Sequence, residues 1–109
     1  MRRWISFDTP TTVREALQIP APDRGSLFEA MAAYRDNVGA GYRIESYGDG
    51  IQMITDAGRG QGRCLFFKRV IDKDGNELLV ALLFYKKETQ RVPSRILDTA
   101  RRRLDGFGG

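Results

Sequence analysis

The chain has no histidine and only one cysteine in 109 residues. Without histidine a nucleophilic thiol lacks its usual base, and a lone Cys64 excludes both an intramolecular disulfide and a multi-cysteine zinc site. Cys64 lies between Arg63 and Leu65 in an apolar run and reads as a packing thiol, which suits a reducing cytoplasm. Long hydrophobic runs are missing too: no stretch approaches the ~18 to 20 apolar residues of a membrane span. Met1, Arg2 and Arg3 lead into a strand-like segment rather than a cleavable apolar one, so no export signal is expected. Internal repeats and low-complexity segments are absent.

What is present is an ordinary globular composition with an uneven charge. Hydrophobic residues make up 41% and charged residues 29% of the chain, which supplies a modest core and argues against wholesale disorder. The length suits a single domain over residues 1–109. The net charge is +4, but residues 1–56 hold six basic and eight acidic side chains, a net −2, whereas residues 57–109 hold twelve and six, a net +6. A positive field confined to the second half favours a polyanion. Nucleic acid comes before anionic membrane, because no amphipathic apolar helix accompanies the arginines. A solvated basic face would account for the charge equally well.

Periodicity orders the elements. Trp4 to Phe7 reads as a short strand ended by Asp8, Thr9 and Pro10. Thr12 with Glu15 matches a capping box for a helix that presents Val13, Ala16 and Leu17 on one face before Pro20 and Pro22 break it. A second helix begins near Asp23 or Ser26, with Leu27, Ala30, Met31 and Tyr34 as a single apolar stripe, and ends before Gly39. Strands then follow at Tyr42 to Ser46 and Ile51 to Thr55, around a Gly48-Asp49-Gly50 turn. The glycine-rich stretch Ala57 to Gly62 carries Arg59 but has neither the lysine nor the following helix of a phosphate loop, so it reads as a hairpin connection.

Two continuous apolar runs, Cys64 to Ile71 and Leu78 to Tyr85, flank an Asp74-Gly75 turn and predict central strands covered on both faces. If the turn closes tightly on Asp74 and Gly75, Arg63 faces Lys86, Leu65 faces Phe84 and Phe67 faces Leu82. Arg63 and Lys86 would then be like charges directly opposed, an arrangement that calls for a counter-anion such as a phosphate. Lys86 and Lys87 point to opposite faces, so one of them joins a given cleft. Lys68 and Arg69 also diverge, and with Arg101, Arg102 and Arg103 they suit polyanion or partner contact rather than chemistry. Pro93 opens a last helix with Ile96, Leu97, Ala100 and Leu104 inward, stopping near Gly106 before a mobile tail of Phe107, Gly108 and Gly109.

The expected fold is therefore α+β: two N-terminal helices packed on a twisted antiparallel β-sheet, with a short C-terminal helix. The stretch Leu82-Leu83-Phe84-Tyr85-Lys86-Lys87-Glu88-Thr89-Gln90-Arg91-Val92-Pro93, followed by Ile96 and Ala100, resembles the strand, lysine pair, glutamine, proline and helix of the RelE/ParE superfamily of type II toxins, in its HigB-like, phage-derived branch. Gly48-Asp49-Gly50-Ile51 and Arg63-Cys64-Leu65-Phe66-Phe67 resemble further strands of that branch, so the likeness runs over residues 48–105. One departure stands out. Where the family commonly has Glu-Leu-Arg in the second sheet strand, this chain has Met53, Ile54 and Thr55, and Arg59 is the loop arginine that could reach the same region.

The resemblance implies a toxin that cleaves mRNA in the ribosomal decoding site, without a metal or small-molecule cofactor, and is neutralised by a cognate antitoxin protein. It points to Arg63, Lys86 and Lys87 as the catalytic cations, with Arg59, Lys68, Arg69, Gln90, Arg91 and Arg95 as RNA contacts. Clustered lysine and arginine suit that chemistry, since a lysine crowded by cations loses its proton more readily and an arginine stabilises charge added to phosphate. Two other readings remain open at this level: a non-enzymatic toxin of the ParE type directed at DNA gyrase, and a non-toxic phage-related relative. Fold alone does not separate them.

Overall fold

Strand-like and helix-like periods alternate along the chain in the expected order, and the computed structural model describes residues 1–7 and 9–107. Asp8, and Gly108 and Gly109 of the expected tail, lie outside the described residues. The elements are β1 (Arg3–Phe7), α1 (Pro10–Gln18), α2 (Ala21–Arg35), β2 (Tyr42–Ser46), β3 (Gln52–Asp56), β4 (Gly62–Val70), β5 (Glu77–Lys86) and α3 (Ser94–Phe107). They form an α+β fold around one five-stranded sheet of order β1-β5-β4-β3-β2. No helix among the described residues is long and apolar enough to cross a membrane.

The sheet is mixed, which corrects the expectation of an antiparallel one. Strands β2 to β5 form the antiparallel meander, but β1 runs parallel to β5, from Arg3 beside Glu77 to Phe7 beside Ala81. Tight hairpins force antiparallel neighbours, whereas β1 is joined to the rest through two helices and escapes that constraint. Arg3 fixes it in place: its Nε donates to Glu77 Oε1 at 3.0 Å, its Nη1 to Tyr34 O at 2.9 Å, and its guanidinium lies 4.4 Å from the Tyr34 ring centroid.

Both faces of the sheet are covered, as the unbroken apolar runs of β4 and β5 require. On one face Ala16, Ile19, Leu27, Met31 and Tyr34 meet Ile54, Cys64, Phe66, Ala81 and Phe84. On the other, Ile96 and Ala100 of α3, with Leu97, Leu104 and Phe107 partly packed, meet Met53, Leu65, Leu82 and Leu83. Cys64 is fully buried, and that burial pushes its thiol pKa upward, away from reactive thiolate. Phe107 belongs to α3 and packs edge-on against Phe67 at 5.3 Å, so it is not part of a loose tail.

The first helix departs from its expected start. Thr9 is its cap, accepting a hydrogen bond from the Thr12 N–H, with Pro10 beginning the first turn. Thr12 is instead buried against the sheet, its hydroxyl 3.2 Å from that of Thr9, while Val13 and Leu17 are exposed. A threonine whose hydroxyl has a local partner can replace an apolar residue in the core, and pattern alone then selects the wrong face. The second helix likewise starts at Ala21, two residues before Asp23, because Pro22 is tolerated in the first turn.

The β4–β5 hairpin closes otherwise than expected. Ile71 N–H donates to Asn76 O, and the Asp72 carboxylate accepts from the Asp74 and Asn76 backbone, so the turn is built on Asp72 rather than closed tightly on Asp74-Gly75. Val70 therefore faces Glu77, and Phe67 faces Val80. A β-bulge then interrupts the ladder: Leu65 faces Leu83 but Phe66 faces Ala81, which leaves Leu82 as the extra residue. Beyond it Cys64 faces Phe84, Arg63 faces Tyr85 and Gly62 faces Lys86. The bulge reverses the parity of β5, so that Leu82 and Leu83 both lie on the α3 face.

Side chains satisfy the backbone where β1 has ended. Arg103 Nη1 donates to Leu82 O at 2.7 Å, and Glu15 Oε1 accepts from Phe84 N–H at 3.2 Å. The same two side chains form a bidentate pair, Arg103 Nη1 to Glu15 Oε1 at 2.9 Å and Nη2 to Oε2 at 2.8 Å. Arg103 is thus an internal clasp, not the polyanion contact its position in an arginine run predicts. Arg103→Ala or Glu15→Ala is expected to lower unfolding stability by about 1 to 3 kcal/mol, because a strand group loses its partner in each. Urea denaturation followed by circular dichroism tests this; midpoints equal to the parent's would remove the clasp.

Candidate functional site

At the end of the sheet that α3 leaves uncovered, four strands present one row of side chains. Arg43 on β2 faces Thr55 on β3, the β3–β4 register continues so as to set Thr55 beside Arg63, and Arg63 on β4 faces Tyr85 on β5. The next row begins with Glu45 facing Met53. Tyr47 and Lys87 keep the same parity along β2 and β5, and all these residues line a single cavity of about 200 Å³. Gln90 and Arg91 close it from the connection to α3.

The interior of the row is unusually polar. Arg63 is only 6% exposed, and its Nη1 donates to Gly60 O at 2.8 Å and Gly62 O at 2.9 Å. These contacts hold the guanidinium still while its Nε and Nη2 make no hydrogen bond among the described residues. Thr55 is 3% exposed, and its buried hydroxyl oxygen has no hydrogen-bond partner among the described residues. A buried hydroxyl with no partner is costly, by about 1 to 3 kcal/mol, unless a ligand or water completes it. Among the described residues none of Arg43, Arg63, Lys87 and Arg91 forms a salt bridge. Four cations therefore line a cavity whose one carboxylate is Glu45.

That carboxylate is engaged by a phenol: the Tyr47 hydroxyl donates to Glu45 Oε2 at 2.7 Å. Burial, and then the hydrogen bond to Glu45, push the Tyr47 pKa well above its ordinary value. Burial also raises Tyr85, against the lowering influence of Arg63. Both phenols are therefore protonated donors at neutral pH. Among the described residues the Tyr85 hydroxyl is engaged only by the thioether of Met53, at 3.4 Å, a weak acceptor. Among the described residues no group of three or more His, Cys, Asp or Glu side chains is arranged to hold a metal ion.

No family model matches the chain, and no curated protein is significantly similar to it.

Of the residues expected from sequence, Arg63, Lys87, Gln90 and Arg91 line this cavity. Lys86 does not. It faces Gly62 rather than Arg63 and lines a second cleft on the other side of β5, together with Arg95. The bulge at Leu82 is the physical reason: it exchanges the two lysines between faces. Arg59 is exposed in the loop and is absent from the cavity lining, so it does not replace the missing strand arginine. Lys68 and Arg69 are exposed near the far end of β4, with Lys68 five residues and thus roughly 16 Å from Arg63 along the strand. They stand apart from the site.

Sequence reading missed Glu45, Tyr47 and, above all, Arg43. Arg43 occupies the strand next to Thr55, where the resemblance would place an arginine on β3 itself. The alternation Arg43, Glu45, Tyr47, with Tyr42 and Ile44 turned to the core, carried the signal. The glycine-rich loop is no phosphate cradle: Gly60 N–H is turned to Asp56 Oδ2 at 3.3 Å and Gln61 N–H to Asp23 Oδ1 at 3.1 Å. Its glycines serve close approach instead, since a Cβ on Gly60 would lie 2.5 Å from Asp56 Oδ2.

Proposed function

We propose that this protein is an RNA-directed toxin of the RelE/ParE kind, HigB-like, that cleaves mRNA positioned on the ribosome and is restrained by a cognate antitoxin. The observation that carries the reading is the row Arg43–Thr55–Arg63–Tyr85, with Lys87 beside it: unpaired cations around a buried, partnerless hydroxyl. A phosphodiester supplies what four cations beside a single carboxylate leave unmatched, a further anion with several acceptor oxygens.

The chemistry follows from the lining. Glu45 accepts the proton of a ribose 2′-hydroxyl as its oxygen bonds to phosphorus. Arg63 and Arg43 hold the phosphate oxygens on which charge accumulates. The bond from phosphorus to the 5′ oxygen breaks, and Lys87 gives that oxygen a proton, leaving a 2′,3′-cyclic phosphate and a 5′-hydroxyl. Tyr85, held protonated, donates a hydrogen bond to the same phosphate. No step uses a metal, and the ribosome supplies the orientation of the strand.

Induced expression tests the reading. Growth arrest accompanied by fragmented mRNA bearing 5′-hydroxyl ends is expected. Arrest with intact mRNA would transfer the protein to the gyrase-directed class, and unimpeded growth would make it a non-toxic relative.

A further inference from the structure

The cavity just described is not closed at the β5 end. Tyr85, Thr89 and Arg91 line it and also line the second cleft, a larger space of about 410 Å³ between the end of α1 and the start of α3. The two spaces thus share a rim formed by the connection after β5, whose Thr89 hydroxyl donates to Arg91 O at 2.7 Å and folds the segment back. The second cleft holds Lys86, Arg91 and Arg95, and among the described residues none of these forms a salt bridge. Its carboxylates are Glu15 and Glu88, of which Glu15 is held by Arg103. Arg95 moreover sits in the first turn of α3, which has no acidic residue to offset the positive helix end. Three like charges have thus been gathered beside one carboxylate, Glu88, that among the described residues is not tied up in an ion pair.

We propose that this second cleft is a flanking-nucleotide subsite: single-stranded RNA leaves the reaction cavity over the Thr89–Arg91 rim, and its next phosphates lie against Lys86 and Arg95. The inference rests on the RNA reading above and adds to it the path of the strand. A track around a sheet end needs an unpaired, flexible strand, since a duplex cannot turn so sharply over one loop. The role of Lys86 then becomes intelligible. The bulge that brings Lys87 into the reaction cavity sends Lys86 to the subsite, so the adjacent lysines grip successive stretches of one strand.

The experiment uses the full chain and cleavage-resistant 2′-O-methyl RNA, a trinucleotide and a nonanucleotide, with affinity measured over a range of salt. The parent is expected to bind the longer strand roughly tenfold or more tightly, and a double variant Lys86→Ala and Arg95→Ala to lose that advantage. Its slope of log affinity against log salt for the nonanucleotide should shrink by about 1.4, which is about 0.7 for each lost phosphate contact. An equal affinity of the parent for both lengths, or a length advantage that persists in the double variant, overturns the subsite while leaving the reaction cavity standing. Failure of the parent to bind either strand overturns the RNA reading itself.

Discussion

Lys87→Ala is expected to lower the maximal rate of RNA cleavage roughly a hundredfold or more, the scale on which loss of one transition-state charge contact is felt. Lys86→Ala is expected to raise the RNA concentration needed for half-maximal rate, with the maximal rate much less affected. The asymmetry follows from which way each side chain turns at the end of β5: Lys87 into the cavity with Arg63 and Tyr85, Lys86 into the cleft beside Arg95. Neither replacement threatens the fold. Lys86 is exposed and Lys87 half-buried, and the hydrogen bond of Lys87 to the loop, 2.7 Å to Gln61 O, comes from the backbone N–H, which alanine retains. Stability should change by no more than ~0.5 kcal/mol in each variant. Growth arrest, mRNA cleavage and melting temperature are read together. Full toxicity of a folded Lys87→Ala variant, or a larger drop in maximal rate for Lys86→Ala, would show that the bulge does not decide which lysine reacts.

That bulge also marks the limit of what the amino-acid pattern conveys. The helical stripe of Leu27, Ala30, Met31 and Tyr34, the strand from Tyr42 to Ser46 and the two apolar runs of β4 and β5 were legible because each carries its own period. Leu27, Met31, Phe66 and Leu83 are buried as expected, and Leu97 is partly so. Leu78 to Phe84, by contrast, is apolar at every position, so nothing in it distinguishes one face from the other. An extra residue in such a run is invisible, yet it decides the orientation of everything beyond it. The same blindness affected β1, whose neighbour is set by a helical crossover rather than by a turn. Arg43 was hidden for a different reason. Charged residues on an outer strand normally face water, and only the rows formed by several strands together bring Arg43 and Glu45 next to Arg63.

Arg63 carries the second large effect, and there structure alters the expected outcome of mutation. Sequence position suggests an accessible strand end, where replacing a charge is nearly neutral. In the fold Arg63 is almost wholly buried and ties down Gly60 O and Gly62 O. Arg63→Ala is therefore expected to reduce stability by about 1 to 3 kcal/mol, since the carbonyls of Gly60 and Gly62 lose their donor. It should also raise the barrier to cleavage by ~2.7 to 4 kcal/mol, the usual consequence of removing one donor to a developing anion. Loss of activity through partial unfolding must be separated from loss of chemistry. Arg63→Lys does so: it keeps the positive charge, but a single ammonium cannot hold both carbonyls and offer a planar fork to phosphate. Cleavage is measured per folded molecule, with the folded fraction taken from urea curves of each variant. Both variants are expected to be slow, alanine the slower, with lysine the more stable. If Arg63→Ala cleaves RNA at the parental rate per folded molecule, Arg63 is a clamp for the glycine-rich loop and nothing more, and charge stabilisation must pass to Arg43 and Lys87.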